Sequence, residues 1–170
     1  RAERVADAFR PWEPRLGESG TLLNAADGVE FWRQDETHFV VKHAGKQVTL
    51  PYTSDELRVA QRNDGLSVAL VDSDPVIGDH PLFVLVIDDS GVRECILPRP
   101  THAKLARIAI SDRTITVELS AFSVETTWFE EWRWPWTRNA LMPHALVSRV
   151  RNERVFIQST DLGETWVPLT

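Results

Sequence analysis

The chain has 170 residues, of which 42% are hydrophobic, and a formal net charge of -6 at pH 7. This length and apolar content suffice for one domain with a core that needs no disulfides. The acidic balance argues against nucleic acid, and against anionic membrane, because such partners require clustered Lys and Arg. The densest basic group, Arg149, Arg151 and Arg154, fits a strand pair whose alternate residues face water.

The chain begins with apolar residues at helical spacing, and two prolines then break the pattern. These apolar residues are Ala2, Val5, Ala6 and Phe9, and the prolines are Pro11 and Pro14. We predict a short N-terminal helix over residues 2–10. Residues 1–19 are interpreted as helix and linker, and residues 20–170 as a single β domain.

Three features of the sequence bear on the cellular location of the protein. Residue 1 is Arg rather than Met, so an export signal or anchor is expected to have been trimmed. Cys95 is the only cysteine, which excludes an internal disulfide and a cysteine metal cluster, and its apolar surroundings predict a buried thiol. Seven tryptophans and few lysines are typical of an exported bacterial domain. We expect a periplasmic or extracellular protein, with the cytoplasm as the alternative and no membrane insertion.

From about residue 20 the periodicity changes to two, and short runs rich in Val, Ile, Phe and Thr alternate with turn residues. Residues 54–62 fit either a helical turn capped by Ser54 or one more strand. Antiparallel strands in this number predict an all-β propeller, sandwich or barrel. Hairpin turns are predicted at residues 43–46, 88–91, 111–113 and 150–153. The strands are predicted in the runs VEFWR, HFVVKH, KQVTLPY, LSVALV, LFVLVI, VRECILP, LARIAI, TITVEL, ALVSRV and RVFIQS.

One polar loop is a weak metal candidate. Asp72, Asp74 and Asp79, with His80 beside them, supply oxygen ligands of the kind that calcium prefers. Their spacing does not fit an EF-hand, and an ordinary polar turn explains them as well. The other histidines are dispersed, and no cofactor is expected.

Residues 126–144 hold four of the seven tryptophans. Trp132, Trp134 and Trp136 alternate around Pro135, which favours an edge strand or loop. Rigid aromatic area beside arginine is typical of binding hot spots, and indoles also stack on sugar rings. The alternative is that these tryptophans close one end of the core. The candidate partner-binding residues are Trp128, Trp132, Arg133, Trp134, Trp136 and Arg138.

Residues 159–166 read S-T-D-L-G-E-T-W and follow a predicted strand. Asp161 is placed to accept backbone hydrogen bonds across a turn, and Gly163 to adopt the positive φ that closes it. Trp166 would cover the apolar face of the hairpin, while Ser159 or Thr165 satisfies the remaining backbone groups.

This segment resembles the Asp-box, or bacterial neuraminidase repeat, at every defining position. The resemblance implies a structural role for Asp161 and a small or incomplete β-propeller, with a β-sandwich as the alternative. Residues 86–91 and 108–113 have the same outline without the tryptophan, and we interpret them as ordinary hairpins, with degenerate repeats as the alternative. Sialidase chemistry does not carry over, because the chain has a single tyrosine, Tyr52, and lacks the family's Arg-Ile-Pro segment.

Three functional classes remain. The first is a non-enzymatic protein-binding module, most concretely an exported bacterial inhibitor or immunity protein whose acidic surface suits a basic toxin or hydrolase. The second is a carbohydrate-binding module that uses the tryptophan segment. The third is a divergent glycosidase, for which Glu130 and Glu131 are an adjacent but poorly placed carboxylate pair. We prefer the first, because the sequence contains none of the common catalytic motifs.

Overall fold

The computed structural model describes residues 3–4, 7–14, 20–54, 56–72, 82–97, 103–132 and 141–169. For residues 3–4, 7, 122–132 and 141–151 only the backbone is described. All regular structure in these ranges is antiparallel β, so the predicted all-β fold is confirmed. The strands form three sheets of five strands each.

Each sheet is built on a meander of four strands that are consecutive in the chain, which is also the strand order of a propeller blade. The first sheet contains β4 (Thr21–Ala26), β5 (Val29–Arg33), β6 (Phe39–His43) and β7 (Lys46–Leu50). The middle sheet contains β8 (Glu56–Gln61), β9 (Ser67–Asp72), β10 (Leu82–Ile87) and β11 (Gly91–Leu97). The third sheet contains β12 (Ala103–Ser111), β13 (Thr114–Trp132), β14 (Leu141–Ser159) and β15 (Thr165–Leu169).

One N-terminal segment adds the fifth strand to every sheet. β1 (Glu3–Arg4) pairs with β15, β2 (Asp7–Pro11) with β11, and β3 (Glu13–Pro14) with β7. The helix predicted for residues 2–10 is therefore wrong in the described residues. The segment follows three sheet edges, and pairing with them outweighs the weak helical preference of so short a run. Pro11 ends an edge strand, a position that a sheet tolerates.

Two apolar cores join the sheets in layers, with the middle sheet between the other two. Every residue of β9 and of β10 is buried. One face of the middle sheet, with Leu70 and Val84, packs against Val117 and Trp166 of the third sheet. Its other face packs against the first sheet, including Phe31. Burial on both faces explains why β9 and β10 are almost continuously apolar in sequence.

The structure decides two local predictions. Residues 54–62 contain the strand β8, and the Ser54 hydroxyl donates to the Glu56 carbonyl instead of capping a helix.

The turn predicted at residues 150–153 is wrong, because these residues continue β14 and pair with residues 121–124 of β13. They contain neither Gly nor Pro, so nothing in the backbone opposes the long pairing. The hairpins predicted at residues 43–46, 88–91 and 111–113 are confirmed.

Candidate functional site

The turn between β14 and β15 is closed by its own side chains. Asp161 Oδ1 accepts hydrogen bonds from the Thr165 backbone N–H at 2.9 Å and from Ser159 Oγ at 2.7 Å. Its Oδ2 accepts a third from Thr165 Oγ1 at 2.5 Å. Ser159 Oγ accepts one from the Gly163 N–H at 2.7 Å. The Asp161 carboxylate is therefore engaged within the turn.

The charge of Asp161 suits this structural role. Desolvation by burial tends to raise its pKa, but the hydrogen bonds from Thr165 and Ser159 outweigh that tendency and hold the pKa at about 2. The group is ionised at neutral pH, which is the state that accepts three hydrogen bonds. A general acid needs a proton near its working pH, so Asp161 is poorly suited to that task.

Gly163 and Trp166 dock the turn onto the middle sheet. Gly163 has a φ of 89°, and a Cβ at this position would lie 3.0 Å from Cys95 Sγ on β11. Trp166 is 3% exposed in the core between the middle and third sheets. Its Nε1 donates to the Gly163 carbonyl at 3.1 Å. The indole is thus part of the core and not of a ligand-binding surface.

The turn between β10 and β11 has the equivalent position in the middle sheet and also uses an aspartate. Asp88 Oδ1 accepts from the Ser90 N–H at 2.8 Å, the Gly91 N–H at 3.1 Å and Ser90 Oγ at 2.5 Å. The turn at residues 111–113 joins the first two strands of its sheet and is not equivalent. Of the two segments with the same outline in the sequence, only residues 86–91 share the position of residues 159–166.

The most unusual element is a two-stranded arm, defined here as residues 122–132 of β13 and 141–152 of β14. Both strands are 19 residues long. In the described chain β12 pairs with β13 only as far as Ala121, and β15 pairs with β14 only as far as Phe156. Beyond these points β13 and β14 pair with each other and with no other described strand. At about 3.3 Å per residue, the eleven residues of β13 in the arm have an extended length of about 35 Å.

The arm carries part of the tryptophan segment. Trp128 pairs with Ala145, and Trp132 pairs with Leu141 at the far end. Arg133, Trp134, Trp136 and Arg138 lie outside the described residues. The prediction that the segment is a recognition surface stays a prediction, but the backbone places Trp128 and Trp132 on the projecting arm.

A cleft of about 530 Å³ lies at the end of the domain where hairpin turns from all three sheets meet. The 159–166 turn contributes Leu162 to this cleft. The turn follows the end of β14 that is away from the arm, so the cleft and the arm lie at opposite ends of that strand. Arg62 holds Asp64 through two hydrogen bonds, Nη2 to Oδ2 at 2.6 Å and Nε to Oδ1 at 2.8 Å. The hydrogen bond from the Arg62 side chain is the main reason that the pKa of Asp64 is lowered to about 2. The cleft is lined by acidic residues beside one Arg and one His, namely Asp27, Asp64, Asp88, Asp89, Arg62 and His43.

A polar cluster between the first and middle sheets was not predicted from the sequence. Tyr52 stacks on Phe83, with ring centroids 4.2 Å apart, and its hydroxyl donates to Glu94 Oε2 at 3.1 Å. Arg10 Nε lies 3.8 Å from the same oxygen. Desolvation by burial raises the pKa of Glu94 despite the Tyr52 hydrogen bond and the Arg10 charge, which lower it. These residues lie far apart in the sequence, so no spacing pattern reveals them.

The metal candidates are only partly described. Asp72 is buried at the end of β9, whereas Asp74, Asp79 and His80 lie outside the described residues. His38 lies in a turn and is hydrogen-bonded to Asp35. In the described part of the chain, no group of three or more His, Cys, Asp or Glu is arranged to hold a metal ion.

Across the described ranges no helix has the length and apolar character to cross a membrane. No protein family model, curated protein or solved structure matches the chain.

Proposed function

We propose that this chain is a non-enzymatic module that binds another protein through the arm. The observation that supports the proposal is the length of β13 and β14 beyond Ala121 and Phe156. An isolated two-stranded hairpin is marginally stable in water, and its open edges invite pairing with another chain. Such an element gains stability when a partner covers it.

The most concrete form of this proposal is an exported bacterial inhibitor or immunity protein that blocks a toxin or hydrolase. A net charge of -6 favours association with a basic partner. A projecting ribbon also has the shape to enter the active-site cleft of such a partner. Arg133, Trp134, Trp136 and Arg138, which lie between β13 and β14 in the sequence, would then supply contacts of the kind that dominate protein interfaces.

We also propose that residues 159–166 form an Asp-box that serves as scaffold. The side chains of Ser159, Asp161 and Thr165 bond within the turn, while Gly163 and Trp166 face the core. The motif then positions the third sheet against the middle sheet, and the arm at the opposite end of β14 meets the partner.

Deleting the arm tests the proposed function. Ala121 and Glu153 are paired, so Asn-Gly can replace residues 122–152 as a two-residue hairpin turn. The core residues that the structure describes all lie outside this segment, so the free energy of unfolding should change by less than about 1 kcal/mol. Binding to a toxin or hydrolase captured by the intact chain should weaken at least about tenfold, a loss of about 1.4 kcal/mol.

The matched control is Lys104→Ala, which removes an exposed charge from the body of the same sheet. It should leave binding unchanged. The proposal fails if the armless protein is folded and binds the same partner with the affinity of the intact chain.

A glycan-binding arm is the second candidate, because Trp128 and Trp132 lie on it. In that case an oligosaccharide would quench tryptophan fluorescence of the intact chain, and Trp128→Ala with Trp132→Ala would abolish the quenching without changing stability.

A further inference from the structure

The β14 edge of the arm has two features that oppose pairing with another strand. Pro143 has no backbone N–H to donate. Ala145 and Val147 pair with the consecutive residues Trp128 and Thr127, which leaves Leu146 as an extra residue in β14. Proline and bulges are devices by which natural sheets protect their edges. The β14 edge is therefore protected in its outer half.

The β13 edge has neither feature. Residues 122–132 read F-S-V-E-T-T-W-F-E-E-W, with no Pro or Gly, and each of them has a partner in β14. This composition favours an extended strand. In the described chain the side of β13 away from β14 is open beyond Ala121, where the pairing with β12 stops. An open edge of this kind is what an added strand pairs with.

The β13 edge also has a distinct charge. Residues 122–132 contain Glu125, Glu130 and Glu131 and no Lys or Arg. Glu125 pairs in register with Arg149, but Glu130 and Glu131 pair with Pro143 and Met142. The outer half of the β13 edge is thus acidic, with no cation at the paired positions.

This charge argues against a second copy as the added strand. Antiparallel pairing of β13 with β13 of another molecule would double the number of glutamates along one ladder. Like charges on neighbouring strands destabilise a sheet. A basic segment gains both the backbone hydrogen bonds and favourable charge pairs.

We infer that the arm binds its partner by strand addition, with a basic, extended segment of the partner protein pairing along the β13 edge. This inference rests on the proposed function and specifies the chemistry of the partner. Main-chain hydrogen bonds hold the segment in place. Its Lys and Arg residues select the acidic outer half of β13.

A synthetic peptide of alternating Lys and Val or Thr, blocked at both ends, tests the inference on the full chain. A second peptide carries an N-methyl group on every residue. A free strand can turn either set of its alternate N–H groups toward β13, so only methylation of every residue removes its N–H donors to β13, and this peptide should lose at least about tenfold in affinity. A third peptide with Glu in place of Lys should not bind.

Protein variants complete the test. Glu130→Gln with Glu131→Gln should weaken binding of the lysine peptide, whereas Glu153→Gln, on the body side of β14, should not. Strand addition is wrong if the methylated peptide binds as tightly as the lysine peptide, or if the armless chain still binds the lysine peptide. It is also wrong if sedimentation shows a dimer of the intact chain that the arm deletion abolishes.

Failure of strand addition and failure of the proposed function give different results. If the arm deletion removes the natural protein partner while the methylated peptide binds like the lysine peptide, the arm binds protein by another mode. If the armless chain retains its natural partner, the proposed function itself is wrong.

Discussion

Replacing Trp166 with alanine is expected to lower the free energy of unfolding by about 3–5 kcal/mol, the usual cost of removing a buried indole. The side chain is 3% exposed in the core shared by the middle and third sheets. The substitution also removes the hydrogen bond from Nε1 to the Gly163 carbonyl. For a domain of this size we expect the Tm to fall by about 10 °C.

Urea unfolding followed by far-UV circular dichroism measures this effect. The matched control is Val167→Ala, because the next side chain on β15 is 41% exposed. It should cost less than about 1 kcal/mol. Equal losses for the two variants would show that the indole is not part of the core.

Gly163→Ala is expected to destabilise the protein by about 3 kcal/mol through two separate costs. The first is the left-handed backbone, since the φ of Gly163 is 89°. The second is steric, because the new Cβ would lie 3.0 Å from Cys95 Sγ in the adjacent sheet. Thermal unfolding monitored by tryptophan fluorescence is the measurement.

Gly45→Ala separates the two costs. Gly45 has a similar φ of 75°, but a Cβ at this position meets nothing within 4 Å. This variant should lose only the conformational part, about 1–2 kcal/mol. A double-mutant cycle that adds Cys95→Ala should recover part of the loss at Gly163 and none at Gly45. If Gly163→Ala is no worse than Gly45→Ala, the turn does not pack against the middle sheet as described.

The hairpins were predictable where the turn chemistry is local. Asp88 and Gly91 close one turn, and Asp161 and Gly163 close another, so each turn is encoded within a few residues. The hydrogen bonds in these turns depend on short spacings that a sequence displays directly. The arrangement of the sheets could not be predicted from such spacings, because it depends on which sheet faces are buried against each other.

The errors have a common physical cause, which is pairing between distant segments. Residues 2–10 have helical spacing but meet sheet edges supplied by β11 and β15. Residues 150–153 are mostly polar and look like a turn, yet β13 is long enough to pair with them as an extended strand. The hydrogen bond from Tyr52 to Glu94 likewise joins residues that only the fold brings together. No local pattern records such contacts.

The arm changes the interpretation of the tryptophan segment. Closure of the core and a recognition surface were both compatible with the sequence. The backbone now places Trp128 and Trp132 beyond the last residues of β13 that pair with β12. This position favours recognition, and it is the reason why the proposed function assigns the partner to this end of the domain.

Hydrogen exchange of the backbone amides tests the central claim, that the arm stands free of the body and is open to a partner. Amides of β9 and β10, which are buried at every position, should exchange only through global unfolding. Amides of residues 122–132 and 141–152 should exchange much faster, because two paired strands without further cover open locally. Arm amides that exchange as slowly as those of β9 and β10 would contradict the account, since the arm would then be packed into the domain.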